Sequence, residues 1–325
     1  MARVAEARRI AMTMAQAEGL AGDATSNAGI VATELSTNLL KHATGGEIHI
    51  ASLSDRGRRG IEMLSIDRGP GIRDLGRCFP DGFSTAGSAG TGLGAIRRLS
   101  NDFDAYSEVE RGTVLVSRLY ARHDDAAGLP PVVVGVVTRP VASEEVSGDA
   151  WAVSFTQAGA ILFVADGLGH GPGAADASGT AIMAFKKSRD TSPVPLLRQV
   201  HAALRGTRGA AVSVGALAYD EGSVRFAGIG NVAGRVVDAG QVKHMVSHAG
   251  TAGYEARRFQ EFSYDLPRSA AVIIHSDGLV SSWSLDNYAG LLSRDPALIA
   301  AVLYRDATRG RDDVCVLVAK AREPL

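Results

Sequence analysis

Four aspartates stand at the ends of apolar, strand-like runs in the second half of the sequence. Asp149 lies in "SGDAW", Asp166 in "ILFVADGLGHG", Asp277 in "IIHSDGL" and Asp312 in "GRDDVCVLV". One aspartate at a strand end is ordinarily a turn former. Four in one strand-rich segment form a set, because clustered ionised carboxylates repel and call for a cation. Ligands that are all oxygen select Mg²⁺ or Mn²⁺ over zinc. Two such ions about 3.5–4 Å apart can share a water, acidify it and aim it at phosphorus. In that arrangement the strand positions Asp166, and Gly167 offers its carbonyl to the same metal. The glycines at 169, 171 and 173 then clear space around the ions. His170 is either a general acid or a loop histidine with a structural hydrogen bond.

A second constellation lies in the first half. In "ATELSTNLLKHA", Glu34 and Asn38 are four apart and share one helix face, with Lys41 three further on. A carboxylate, a carboxamide and an ammonium on one ridge suit Mg²⁺ and phosphates. A solvated polar face is the plain alternative. Ile30, Leu35 and Leu39 are expected to pack inward from the same helix. "IDRGPGI" puts Asp67 at a strand end, followed by Gly69 and Gly71. A buried carboxylate there can accept from an exocyclic amine, while the glycines let the backbone close over a flat base. "GSAGTGLGAIRRL" then runs Gly87, Gly90, Gly92 and Gly94 into a helix, an arrangement that suits an anion. No GxxxxGK[ST] occurs, so the device is not a P-loop.

These residues need elements to hold them. Helical spacing predicts helices over 3–18 and about 24–43, and alternation predicts strands over 47–53, 61–66 and 112–121, with a short helix after Gly94. The order is α, α, β, β, α, β. "RHDDAAGLPP" (122–131) reads as a linker between a domain at 1–121 and another at 132–321. Beyond it eight strand-like runs dominate, with helices expected near 174–187, 195–204 and 286–304, a β-sandwich with helices packed outside.

Composition narrows the class. The 325 residues suffice for two domains, and 46% hydrophobic against 21% charged allows packed cores. A net charge of -1 gives no bulk-charge surface for nucleic acid or membrane. Cys78 and Cys315 stand far apart, which excludes a disulfide framework and points to a reducing compartment. The N-terminal stretch lacks the apolar core of a signal peptide, so a soluble cytoplasmic protein is expected.

Two resemblances follow from the motifs. N-x-x-K-H, D-x-G-x-G and G-x-G-x-G, in that order, resemble the GHKL-type ATPase fold. Within it, "DRGPGIRDLGRCFPDGFSTAGSAGTGLGAIRRLSNDF" is similar to the anti-sigma and switch kinases of the RsbW and RsbT type. That resemblance implies ATP and Mg²⁺: Asn38 would hold Mg²⁺, Glu34 would be the general base and Asp67 would read adenine. Gly90, Thr91, Gly92 and Gly94 would wrap the triphosphate. It also implies a strand ahead of the first helix, whereas this sequence starts almost at the helix. S-G-D, D-G-L-G-H-G, H-S-D-G and R-D-D-x-x-V resemble the PPM-type phosphatases of the SpoIIE and RsbX branch. Their alignment implies two Mn²⁺ or Mg²⁺ ions, with Asp312 rather than Asp313 as ligand. A phosphate-gripping arginine of some relatives has only Arg139 as a positional candidate.

Together these imply an α+β chain: a GHKL (Bergerat-type) α/β sandwich followed by a PPM-type αββα sandwich. The function implied is a protein serine/threonine phosphatase fused to a switch-kinase-like domain, with STAS-type anti-sigma antagonists or stressosome-like proteins as substrates. Two alternatives stand beside it: a phosphatase regulated by a non-catalytic ATP sensor, and an ATP-dependent anti-sigma module that binds a partner.

Overall fold

Alanine-rich turns let two helices lie close together at the start of the chain. Helix α1 (Ala2–Ala17) buries Ala11 and Ala15 against α2 (Asp23–His42), which turns Ala28, Val31, Ala32 and Leu35 inward. Ile30, expected inward, is 38% exposed: one residue before Val31, it falls outside the buried arc. The computed structural model describes residues 2–55, 58–78, 92–121 and 128–322.

The chain divides into two units, 1–129 and 130–325. In the first, strands β1 (Glu47–Asp55), β2 (Arg58–Ile66), β3 (Asp102–Glu108) and β4 (Gly112–Tyr120) form an antiparallel sheet in the order β1-β2-β4-β3. Helix α3 (Gly92–Leu99) precedes β3, and a 3₁₀ turn spans Leu75–Cys78. One face of the sheet, through Ile61, Met63, Leu115 and Leu119, packs on Val31, Leu35 and Ile96 of the helices. The sequence reading lacked β3, an edge strand whose "DFDAYSE" mixes acids with apolar residues.

The second unit stacks two sheets between helices. β5 (Val132–Arg139), β6 (Asp149–Phe155) and β7 (Gly159–Gly167) lead into α4 (Pro172–Lys187) and α5 (Pro193–Ala203). Then follow β8 (Ala210–Ala218), β9 (Ser223–Ile229), β10 (Ala233–Asp238), β11 (Gln241–Met245), β12 (Ser247–His248) and β13 (Phe262–Asp265). β14 (Ala271–His275), α6 (Pro296–Ala307) and β15 (Val314–Ala321) complete it. One sheet runs β11-β10-β14-β15-β5 and the other β12-β9-β8-β7-β6, with β13 on β9. Leu162, Val164 and Phe226 of the second sheet meet Val272, Ile274 and Leu317 of the first. On the outer side Phe163, Val212 and Val214 pack on Ala177, Ala181, Leu197 and Val200 of α4 and α5. β7 is therefore buried on both faces, which explains its unbroken apolar run. Helix α6 covers β5 and β15 and starts only at Pro296, where Asp295 caps it and accepts from Ala297 N–H at 2.8 Å. Residues 286–295, expected as helix, contain instead a 3₁₀ turn at Leu291–Ser293. Both units have the α+β layering the sequence implied.

Candidate functional site

The carboxylates of the second unit are gathered by strand register. Asp149 opens β6 and Asp166 is the last residue but one of β7, and the two are direct antiparallel partners. Asp277 follows β14, and Asp312 and Asp313 precede β15, which pairs with β14. Gly167 sits where β7 meets the first turn of α4: a Cβ there would lie 2.1 Å from the Ala174 carbonyl oxygen, so no side chain fits. Its N–H donates to the Gly148 carbonyl at 3.0 Å, tying the ends of β6 and β7 together.

Each acid has a distinct setting. Asp149 is buried and accepts from Ser276 Oγ at 2.5 Å; that same Oγ accepts from Cys315 N–H at 2.9 Å. Asp277 accepts from Asn231 Nδ2 at 2.6 Å. Asp313 is buried and spends both oxygens on backbone, accepting from Val141 N–H and Gly148 N–H, each at 2.7 Å. Asp312 is half-buried and accepts from Asp313 N–H at 2.9 Å. Asp313 is thus a clamp on the loop before Asp149, which leaves Asp312 as the neighbour open to a ligand.

Charge is short of balance here. Burial, and then the charges of Asp149, Asp277, Asp312 and Asp313, push the Asp166 carboxyl well above the usual carboxylate range. Burial raises Asp149 likewise, against the Ser276 hydrogen bond, with Asp313, Asp277 and Asp312 adding to the rise. Asp277 is raised by burial and by Asp312, with Arg309 opposing. An all-oxygen cluster whose members raise one another in this way fits hard divalent cations. Among the described residues, no three acidic, histidine or cysteine side chains converge on one point as a closed ion cage. Asp149 faces Ser276 and Asp277 faces Asn231 instead.

His170 Nδ1 lies 2.7 Å from Glu144 Oε1, the structural hydrogen bond that was one of its two readings. Arg139 ends β5, exposed, opposite Val314. Behind Asp277, His275 is buried; its Nδ1 donates to the Ser276 carbonyl and its Nε2 accepts from Trp283 Nε1–H. Burial pushes the His275 imidazole down to about 4, so it is neutral. Ser276, Asn231 and the clamping role of Asp313 were missed from sequence, although Ser276 and Asp313 lie inside the motifs that mark the site.

In the first unit, Glu34 and Asn38 lie one turn apart on α2, both half-buried. Gly92, at the start of α3, lies against them. A Cβ there would stand 3.3 Å from Glu34 Oε2 and 3.5 Å from Asn38 Oδ1. Asp67 Oδ1 accepts from Gly69 N–H at 2.7 Å and Thr113 N–H at 3.2 Å. Gly69 in turn approaches the C-terminal end of α2, with a would-be Cβ 2.7 Å from the His42 carbonyl. Gly71 has φ +70°, a value that glycine adopts freely. Gly94 is buried in α3, and Lys41 is exposed in the last turn of α2. The fold therefore gathers Glu34, Asn38 and Gly92 at one point and docks the Asp67 turn on the same helix. Gly90 and Thr91 lie outside the described residues.

Comparison with known proteins agrees with both halves. Residues 1–119 match the family model described as "Histidine kinase-like ATPase domain". Residues 156–322, just over half of the chain, match "Stage II sporulation protein E (SpoIIE)". The architecture is thus a GHKL-type ATPase domain followed by a PPM-type phosphatase domain, and the chain belongs to the SpoIIE family. Over 81 residues it is 40% identical to serine/threonine-protein kinase RsbT of Bacillus subtilis (strain 168), 25% of this chain and 61% of that protein. The chain thus spans about three fifths of that relative. A solved structure described as "The bacterial stressosome: a modular system that has been adapted to control secondary messenger signaling" is 29% identical. It matches with TM-score 0.54 over 58% of this chain and 99% of its own. The RsbU and RsbW domains of Rv1364c from Mycobacterium tuberculosis share the fold at 22% identity and TM-score 0.51, over 60% of this chain and 63% of that one. Among the described residues no helix is long and apolar enough to cross a membrane.

Proposed function

We propose that the chain is a divalent-metal-dependent protein serine/threonine phosphatase fused to an ATP-binding switch-kinase domain, and that the two act in opposite directions on a STAS-type or stressosome-like protein. The observation that carries the phosphatase half is the gathering of carboxylates at neighbouring strand ends: Asp149 opposite Asp166 across β6 and β7, and Asp277 and Asp312 at the adjoining ends of the paired strands β14 and β15. Asp149, Asp166, Asp277, Asp312 and the Gly167 carbonyl are the proposed ligands of two Mn²⁺ or Mg²⁺ ions. When bound, such ions supply a nucleophile at neutral pH and neutralise phosphoryl charge. Ser276 and Asp313 orient the cluster from behind: one fixes an Asp149 oxygen, the other the loop that leads into Asp149.

In the ATPase domain Asn38 would hold Mg²⁺ on the nucleotide, Asp67 would accept from the adenine amine, and Lys41 would face phosphate. Gly69, Gly71, Gly90, Thr91, Gly92 and Gly94 would line the nucleotide. Glu34, which lies beside Gly92, would take a proton from a substrate hydroxyl. The similarity to RsbT supports kinase turnover over nucleotide sensing.

The two activities should separate by mutation. With labelled ATP and a STAS-type protein, Glu34→Gln should bind ATP yet lose transfer, while Asp277→Asn should accumulate phosphorylated product. Wild type and Asp277→Asn both failing to label the partner would remove the kinase half. ATP altering the phosphatase rate in Glu34→Gln would install the sensor reading.

A further inference from the structure

Among the described residues, one cation at the glycine loop after Asp166 has no hydrogen-bond or ion-pair partner. Arg208 lies in the turn between α5 and β8, and folding brings it across the glycine loop that follows Asp166. A Cβ at Gly173 would stand 2.6 Å from Arg208 Nε and 2.7 Å from its Cζ; one at Gly169 would stand 3.6 Å from Nη1. The guanidinium therefore occupies space that glycine at 173 leaves open, three residues along the loop from Asp166 at its nearest mapped point. Among the described residues its side chain makes no hydrogen bond or ion pair, and it is exposed. The loop is anchored rather than loose: Leu168 N–H donates to the Gly209 carbonyl at 3.0 Å, and Tyr254 Oη donates to the Thr207 carbonyl at 2.6 Å.

Arg208 also lines an open groove of about 430 Å³ with Leu168, Gly250, Thr251, Tyr254 and Glu255. Leu168 and Tyr254 are unusually bare for their size, 53% and 63% exposed. Glu255 shares the groove without pairing to Arg208. A fork of unspent N–H donors beside a strongly acidic centre suits a dianion that must approach that centre, and a guanidinium matches phosphoryl oxygens in a bidentate way. The apolar wall suits the residue next to the phosphorylated one.

We propose that Arg208 is a substrate-positioning residue that grips the phosphoryl group of a phosphoserine or phosphothreonine segment, and that Leu168 and Tyr254 hold the flanking side chain. This rests on the phosphatase reading and goes beyond it in naming how the substrate is held.

The test uses the full chain with Mn²⁺ and compares wild type, Arg208→Ala, Arg208→Lys and Tyr254→Ala. Arg208→Ala is expected to raise KM for p-nitrophenyl phosphate and the inhibition constant of inorganic phosphate about tenfold or more, with a smaller change in kcat. Arg208→Lys should recover part of that loss, and thermal stability should not change. Tyr254→Ala should raise KM for phosphoserine casein by a clearly larger factor than KM for p-nitrophenyl phosphate. Unchanged KM and inhibition constant in Arg208→Ala would overturn the proposal, as would equal losses with both substrates in Tyr254→Ala for the groove. If wild type hydrolyses neither substrate, the phosphatase reading falls. Calorimetric binding of inorganic phosphate to the Mn²⁺-treated protein then decides Arg208 alone, and equal affinity in wild type and Arg208→Ala overturns it.

Discussion

Asp149 and Asp166 are direct cross-strand partners, two carboxylates face to face at the open end of β6 and β7. Like charges directly opposite in an antiparallel pair destabilise it by up to about 1 kcal/mol. A fold that keeps them opposed carries a site that is repulsive until a cation arrives.

Asp166→Asn should therefore act with opposite signs on stability and activity. Without metal it should melt above wild type, by on the order of 2 °C. With Mn²⁺ the wild type should gain stability and the variant should gain far less. Scanning calorimetry with and without Mn²⁺ reads both. A metal-free variant that melts below wild type would show that the pair is not repulsive.

The same pair sets a pH dependence. The folded-state carboxyls of Asp149 and Asp166 are raised, so the metal-free fold binds more protons than the unfolded chain, and stability must fall as pH rises toward their shifted range. His275 is shifted the other way, to about 4, so its contribution is lost as pH falls from about 6.5 through that value. Above the ordinary histidine range only the acids act in this cluster. Metal-free protein should thus lose stability between about pH 6.5 and 8, and saturating Mg²⁺ should flatten the slope. Denaturant melts in that interval check this; a metal-free slope of opposite sign would refute it.

Ser276→Ala should cost about 1–3 kcal/mol, because it strands the buried Cys315 N–H and releases Asp149. Cysteine at 276 should not restore it, since a thiol is a weak donor and acceptor. Urea unfolding of the two variants measures the difference.

Gly278→Ala should disable the site without touching a carboxylate. A Cβ there would meet the Asp313 carbonyl oxygen at 2.0 Å, so the Asp277–Gly278 turn must move away from the segment that leads from Asp312 into β15. Phosphatase activity should fall at least tenfold while ATP binding by the first unit stays intact. Normal phosphatase kinetics in this variant would show that the turn tolerates displacement.

In the ATPase domain, Asn38→Ala should weaken Mg·ATP binding, and Asp67→Asn should weaken ATP more than it weakens inorganic triphosphate. Isothermal titration distinguishes the two. Equal effects on both ligands would place Asp67 away from the base.

Much of this was legible in the sequence, and the limits have physical causes. Asp166 and Asp277 could be found because each ends a run of apolar residues at a glycine, a local signal. That Asp149 faces Asp166 depends on register across the β6–β7 hairpin. That Asp313 clamps Gly148 depends on residues 165 apart in the chain. Arg208 carries no motif at all: its place over Gly173 arises only when α4 and α5 pack on the sheet. β3 escaped because an edge strand need not alternate cleanly. β11, four of whose five residues are exposed, escaped for the same reason. The helix expected from 286 begins at 296, since Asp295 and Pro296 are a stronger start signal than the apolar spacing before them.

The most direct measurement is release of p-nitrophenol from p-nitrophenyl phosphate by the full chain, first titrated with Mn²⁺ and then with EDTA, for wild type and Asp277→Asn. The expected result is a wild-type rate that rises with Mn²⁺, disappears with EDTA and returns with added metal, and an Asp277→Asn rate lower by orders of magnitude. Equal wild-type rates in Mn²⁺ and EDTA, or an undiminished Asp277→Asn enzyme, would contradict a metal-dependent phosphatase built on these carboxylates.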